Sequence, residues 1–187
     1  MGAGKLDVEG GSAKLMSASF RYSERIGRPV VRYDVTDTQG KLTVESPKNS
    51  SSTGNSVNEW DLKMGSETPF EMNVSLGAGE SNLDMSHVSL RSMDVNMGAG
   101  EMKLNLDGKY SKDVRVEVNG GVGEARILLP KDVGVVAEAV GGIGGVSTKG
   151  LTKRDGKYYN DAYSAGKPAL HLQVQGGVGS ISMNVGE

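Results

Sequence analysis

Several residue types are scarce in this 187-residue chain, and each scarcity removes a class of chemistry. Cysteine is absent, which excludes disulfides, thiol catalysis and thiolate metal sites. Only two histidines are present, His87 and His171, so a histidine-based triad or zinc site would need carboxylates from distant parts of the chain. No apolar run is long enough to predict a membrane-spanning helix, and the first residues lack the pattern of a secretory signal. The net charge of -2 argues against nucleic acid as a partner.

Glycine, in contrast, is abundant, with 28 residues, and much of it recurs in a Gly-x-Gly motif. The first glycines of the six copies are Gly2, Gly77, Gly98, Gly121, Gly142 and Gly177. The steps from 77 to 98, to 121 and to 142 are 21, 23 and 21 residues, which indicates a structural repeat. A nucleotide-binding loop is not favoured, because the sixth position is never glycine and a strand pattern follows each motif.

Apolar and polar residues alternate on both sides of the glycines, which predicts strands with one buried face. The apolar positions before the glycines are Phe70, Met72 and Val74; Val114, Val116 and Val118; Val135, Ala137 and Ala139; and Leu170, Leu172 and Val174. Those after the glycines are Ser81, Leu83 and Met85; Met102, Leu104 and Leu106; Ala125, Ile127 and Leu129; and Ile181, Met183 and Val185. The residue between the two glycines is small or β-branched, and we expect it to point inward as well: Ala78, Ala99, Val122, Ile143 or Val178.

These patterns predict an all-β, single-stranded, right-handed parallel β-helix, or β-solenoid, with rungs of about 21–23 residues. Each rung is a strand, a glycine corner, a second strand and a polar turn. Glycine suits the corner because it accepts positive φ and lets stacked backbones approach closely. We expect one domain over 1–187, in which 70–187 forms the regular rungs.

The repeat is less regular in two places. Residues 1–69 lack clean corners and fit either degenerate rungs or an antiparallel hairpin, the latter suggested by the strand, turn and strand pattern of 29–46. The Ser- and Asn-rich stretch 46–58 is predicted to be a mobile surface loop. Trp60 is expected to pack against the solenoid. About a dozen extra residues precede the last corner, as an insert at 151–167.

The insert is the candidate binding surface. It carries Tyr158, Tyr159, Asn160, Asp161 and Tyr163. Amphipathic aromatic residues on a loop suit recognition of a protein or glycan surface, and they equally suit packing over a flank of the solenoid. Both interpretations stay open from the sequence.

Two outward ladders of acids are the candidate cation sites. Aligned rungs stack Asp94, Glu117 and Glu138 in one ladder and Glu80, Glu101 and Glu124 in the other. Stacked carboxylates can hold a hard cation such as calcium. We expect solvated ladders instead, because Lys103 and Arg126 follow on the same face and can pair with the acids. The two histidines are expected at the surface without a nucleophile nearby, so no catalytic residue, metal ligand or cofactor is predicted.

The glycine corners, the stretch "ILLPKDVGVVAEAVGGIGGV" and the closing "YYNDAYSAGKPALHLQVQGGVGSISM" resemble the bacterial toast-rack or "putative adhesin" domain family. They are also similar to the C-terminal domain of membrane proteins that respond to cell-wall stress. The resemblance is strongest over 70–187 and carries no catalytic residues. It implies a right-handed parallel β-helix in an extracytoplasmic, cell-envelope setting, often behind a lipoprotein signal or membrane anchor.

The predicted function is a non-enzymatic binding or adhesion-like scaffold of the envelope, with a protein or envelope component as partner. The alternatives are a signalling accessory domain docking on a membrane sensor, and a structural element that self-associates through its solenoid ends. A final expectation concerns the first residues. "MGAG" at 1–4 repeats "MGAG" at 97–100, so the chain is expected to begin in mid-rung. The strand that should precede the corner is then missing, and Leu6 and Val8 are expected to be incompletely covered. We therefore expect the natural protein to continue upstream with a strand and a leader or anchor.

Overall fold

The alternating segments form strands in the computed structural model, which describes residues 1–48 and 56–186. In that part of the chain there is no helix, so the all-β prediction is confirmed. The strands are β1 (Ala3–Ser12), β2 (Met16–Tyr22), β3 (Val30–Thr36), β4 (Gln39–Glu45), β5 (Asn58–Gly65), β6 (Phe70–Asp84), β7 (Leu90–Asn105), β8 (Val114–Leu129), β9 (Gly134–Ile143), β10 (Val146–Lys149), β11 (Thr152–Arg154), β12 (Lys157–Tyr159) and β13 (Ala169–Val185).

Four long strands, β6, β7, β8 and β13, continue without interruption through their Gly-x-Gly corners. Each therefore has two arms, one before the corner and one after it. They pair in parallel, and the corners stack in register across the sheet, with Ala78 beside Ala99, Ala99 beside Val122 and Val122 beside Val178. β9 brings Ile143 beside Val178 in the same way. The predicted equivalence of the repeats therefore corresponds to physical neighbours.

The order of strands departs from a simple solenoid. The large sheet runs β11-β12-β9-β13-β8-β7-β6-β1-β5-β2, with β10 beside β13. The last strand of the chain thus lies between β8 and β9, and the pairs β2–β5, β9–β12 and β11–β12 are antiparallel. Of the predicted parallel β-helix, the structure therefore shows an all-β stack whose long strands pair in parallel, within a sheet that is mixed and does not follow chain order. The long spacing between the last two corners explains the displacement, because it gives the chain length enough to return past β9.

The N-terminal region covers one end of the stack. β1 pairs with β6 on one side and with β5 on the other. Leu6 and Val8 are therefore buried, and the expectation that they would be incompletely covered is wrong. Trp60 on β5 stacks beside Leu6, is buried, and donates its indole N–H to Asn58 Oδ1 at 2.9 Å, which confirms its predicted packing. Residues 30–45 form an antiparallel hairpin, β3–β4, as a separate two-stranded sheet. Within the predicted mobile loop 46–58, residues 49–55 lie outside the described residues.

The core is the stack of inward side chains, and both arms of the bent strands contribute to one hydrophobic cluster. Leu83, Leu104, Ile127 and Met183 stack as neighbours on one arm and are all buried. The alternating positions predicted to face inward on the two sides of the glycines are buried or half-buried throughout. Burial of apolar side chains on this scale is the main stabilising contribution to the fold.

Four of the five residues between the glycines are exposed, contrary to expectation; Ala78 is half-buried. Val122 is 57% exposed, Val178 48% and Ile143 75%. The physical reason is the bend itself: both arms fold toward the core, so the residue at the apex lies on the convex side. The second glycine makes the bend, as shown by Gly123, whose φ is 140°. Simple alternation cannot be continued through such a residue.

Candidate functional site

The insert lies at one end of the large sheet. β11 and β12 form a hairpin around Asp155 and Gly156, both with positive φ (47° and 80°), as expected for a two-residue turn of this composition. β12 pairs antiparallel with β9, with Tyr158 beside Ala137 and Tyr159 beside Val136. The hairpin therefore covers the edge of β9, which an open stack would leave free.

Asn160 fixes the insert to the body of the protein. Its amide nitrogen donates to the backbone oxygens of Pro130 at 3.0 Å and Val133 at 2.8 Å, and its Oδ1 accepts from the backbone N–H of Val135 at 2.9 Å. The side chain is buried, with 4% of the residue exposed. Asn160 is therefore not part of the exposed surface on which the sequence placed it. Asp161, its neighbour, is exposed.

The three tyrosines are half-buried and each has a packing role. The ring centroids of Tyr159 and Tyr163 lie 5.0 Å apart. The backbone of Tyr163 packs against Gly134 so closely that a Cβ added to Gly134 would lie 3.1 Å from the Tyr163 Cα. Arg154 places its guanidinium 4.7 Å from the centre of the Tyr159 ring. Packing and surface presentation, which the sequence left as alternatives, are thus combined in the same side chains.

Cations accompany these rings, which the sequence analysis did not anticipate. Lys153 Nζ lies 5.0 Å from the centre of the Tyr158 ring, because the hairpin register sets Lys153 opposite Tyr158. Lys157 Nζ lies 2.6 Å from Glu138 Oε1, and the hydrogen bond to this carboxylate raises the pKa of the Lys157 ammonium. We call the group Lys153, Arg154, Lys157, Tyr158, Tyr159 and Tyr163 the basic–aromatic surface. Cations stacked on aromatic faces are held in place while their polar groups stay in water, which suits contact with anionic groups.

The first acidic ladder is interrupted. The order across the sheet is Asp94, Glu117, Gln173 and Glu138, so Gln173 separates two of the predicted neighbours. This follows directly from the position of β13 between β8 and β9. Glu138 is in addition paired with Lys157.

The second ladder is continuous, with Glu80, Glu101 and Glu124 side by side. Arg126 holds Glu124 with two hydrogen bonds, from Nε at 2.8 Å and Nη2 at 2.7 Å, and Lys5 stands beside Glu80 at the other end. Throughout residues 1–48 and 56–186, no group of three or more acidic or histidine side chains is placed to hold a metal ion.

His171 is exposed and stands beside Arg115 in the sheet. His87 has a serine nearby, contrary to expectation: its Nδ1 is 2.9 Å from Ser86 Oγ. That hydroxyl donates to Asp84 Oδ1 at 2.6 Å, and the Ser86 backbone N–H donates to the same oxygen at 3.0 Å. In a catalytic triad the carboxylate contacts the histidine, whereas here it accepts the hydrogen bond from the serine hydroxyl, as in a turn stabilised by an aspartate side chain.

The sequence matches the family model described as the N-terminal domain of toast_rack, DUF2154, over residues 1–128. The chain belongs to the toast-rack family. A solved structure, a "putative cell adhesion protein" from Clostridium sporogenes, is 35% identical and superposes with a TM-score of 0.94. The match covers 99% of this chain and 89% of the other. No curated protein matches the sequence.

These similarities confirm the family resemblance. The toast-rack match ends at residue 128, so the insert lies beyond it, while the structural likeness to the clostridial protein extends over almost the whole chain. No helix long and apolar enough to cross a membrane occurs in the described part of this toast-rack chain.

Proposed function

We propose that this toast-rack protein is a non-enzymatic, adhesion-like scaffold of the bacterial cell envelope, which binds an anionic partner through its basic–aromatic surface. The supporting observation is the likeness, over 99% of the chain, to a clostridial protein described as a putative cell adhesion protein. The envelope placement rests on the family resemblance.

The surface itself supports a docking role. The insert is anchored by the buried Asn160 and by pairing of β12 with β9, so the cations are presented from a fixed frame. Lys153 and Arg154 are exposed on β11, the outermost strand at this end of the sheet. Preorganised charges reduce the entropy lost on binding. Carboxylate and phosphate groups are the chemistry that lysine and arginine recognise.

We further propose that the bent strands wind as a right-handed parallel β-helix over β6, β7 and β8. Support comes from the parallel pairing of these consecutive strands and the strong preference of parallel crossovers for the right hand. A crystal structure with left-handed connections at 85–89 would contradict this.

Binding to intact bacterial cells and isolated envelope tests the function. Replacing Lys153 and Arg154 by glutamate should weaken binding at least about tenfold, because attraction becomes repulsion. The matched control replaces exposed Lys103 and Arg115 by glutamate, which changes the net charge equally on other surfaces. Equal loss in both variants would indicate a nonspecific charge effect, and unchanged binding of the first would refute the surface. A glycan array and a pull-down from envelope extract then separate polymer from protein partners.

A further inference from the structure

The β3–β4 hairpin carries an apolar face that is only partly covered. Leu42 and Val44 on β4 pack against the hydrophobic core. The apolar residues of β3 do not: Val31, opposite Val44, is 45% exposed, Tyr33, opposite Leu42, is 54% exposed, and Val35, opposite Gly40, is 63% exposed. A two-stranded sheet is marginally stable by itself, and an exposed apolar strand is a site for pairing with another chain.

β3 is also a free edge. It pairs with β4 alone in the part of the chain that the structure describes, and its residues from Val31 onward are all exposed. A two-residue loop joins Thr36 to Gln39, so the hydrogen-bonded pairs with β4 fall on the even-numbered residues of β3. The N–H and C=O groups of Val31, Tyr33 and Val35 therefore point away from β4. The free edge offers three donors and three acceptors in a row.

We propose that β3 pairs antiparallel with β3 of a second copy of this chain, with Tyr33 opposite Tyr33 of the partner subunit. Val31 then faces Val35 of the partner subunit on the apolar side. On the other side Arg32 faces Asp34 of the partner subunit, and the two-fold axis repeats both contacts. The sequence Val-Arg-Tyr-Asp-Val (31–35) is thus complementary to itself in this register.

Charge selects this register over its neighbours. Moving the two-fold centre by one residue places Arg32 opposite the partner's Arg32, or Asp34 opposite the partner's Asp34. Like charges directly opposite each other are destabilising. Only the Tyr33-centred pairing joins opposite charges, and it also aligns the outward N–H and C=O groups, because these belong to the odd-numbered residues.

The charges already present on β4 are compatible with the pairing. Arg32 is bridged to Glu45 on its own hairpin, and Asp34 stands opposite Lys41. In the joined four-stranded sheet, Arg32 therefore lies between Glu45 of its own hairpin and Asp34 of the partner subunit. Asp34 lies between Lys41 of its own hairpin and Arg32 of the partner subunit. The contact is isologous and uses the β3 edge of each copy, so this contact closes as a dimer. It is independent of the proposed adhesion function.

Molar mass measured by light scattering or sedimentation tests the dimer. The wild-type mass should rise from 19.6 kDa toward twice that value between about 1 μM and about 1 mM, the range suited to an interface below standard size. Arg32→Asp and Asp34→Arg should each raise the dissociation constant at least about tenfold, since each opposes like charges twice. An equimolar mixture of the two variants should restore the dimer, because every opposed pair is again of opposite sign.

Controls keep the proposal falsifiable. Ile143→Lys alters another exposed apolar site, at a glycine corner, and should leave the dimer intact. Thermal melting checks that each variant folds, and Val35→Lys, at a 63% exposed position, replaces any charge variant that does not. A wild type that stays monomeric to the top concentration, a dimer that survives both charge reversals, or a dimer lost in Ile143→Lys would each overturn the proposal.

Discussion

The glycine corners make a quantitative prediction about stability, because the two glycines of a corner are needed for different reasons. Gly121 has no positive φ, but a Cβ built on it would overlap the backbone oxygen of Gly98. Gly123 has a φ of 140°, and its Cβ would overlap the oxygen of Gly100. Gly145 supplies the matched control: its φ is 92°, but a Cβ there would meet nothing within 4 Å.

The expected losses follow from these two contributions. A left-handed conformation costs an alanine about 1–2 kcal/mol, so Gly145→Ala should lose that much. Relieving the overlap at Gly121 requires neighbouring strands to separate, and losing about two backbone hydrogen bonds costs about 1–3 kcal/mol. Gly123→Ala combines both contributions and should lose about 2–5 kcal/mol.

Urea unfolding, with the free energy extrapolated to water, measures all three variants. Gly123→Ala should lose clearly more unfolding free energy than Gly145→Ala. Gly121→Ala should also be less stable than the wild type. A Gly123→Ala variant no less stable than Gly145→Ala would refute the close-approach argument. So would a Gly121→Ala variant that unfolds at the wild-type midpoint.

Three further outcomes are expected. Asn160→Ala should lose about 2–4 kcal/mol of unfolding free energy, because it leaves buried backbone groups without partners, whereas exposed Asp161→Ala should stay within about 0.5 kcal/mol. Millimolar calcium should leave the melting temperature unchanged, and a rise of several degrees that Glu101→Gln abolishes would establish a cation site instead. Burial raises the pKa of the Tyr110 hydroxyl above its ordinary 10.0, so the stability it contributes is complete below pH 10 and is lost as the pH rises further. Tyr110→Phe should therefore lose less stability above pH 10 than the wild type, and equal pH profiles would contradict this assignment.

Local pattern was sufficient to predict the strands and their buried faces, since period-2 alternation records directly which side chains avoid water. The order of the strands in the sheet could not be predicted from this alternation. Val118, Val174 and Ala139 present similar apolar side chains at equivalent positions, so β13 fits beside either β8 or β9, and it lies between them. The outward direction of Val122 was missed because the strand bends at the glycine corner, so alternation counted along the first arm no longer gives the direction of a side chain at the bend.

The candidate surface was only partly visible from its sequence. Aromatic composition drew attention to the insert, but the cations that lie over the rings depend on hairpin register. The Asp-Gly turn within "KRDGKYY" could have indicated that Lys153 stands opposite Tyr158. The burial of Asn160 could not be foreseen, because its partners lie 25 to 30 residues away, in the turn before β9 and at the start of β9.

The place of β13 makes the order of synthesis matter for this protein. Among the described residues β9 pairs with β13 and β12, so β9 and the β11–β12 hairpin join the large sheet through β13, which is synthesised after all of them. Until the 17 residues of β13 emerge, β8 keeps an unpaired edge and β9 has no long neighbour. During that interval the nascent chain is exposed to mispairing, and a stall before Ala169 would leave β9 and the β11–β12 hairpin without the strand that joins them to the large sheet.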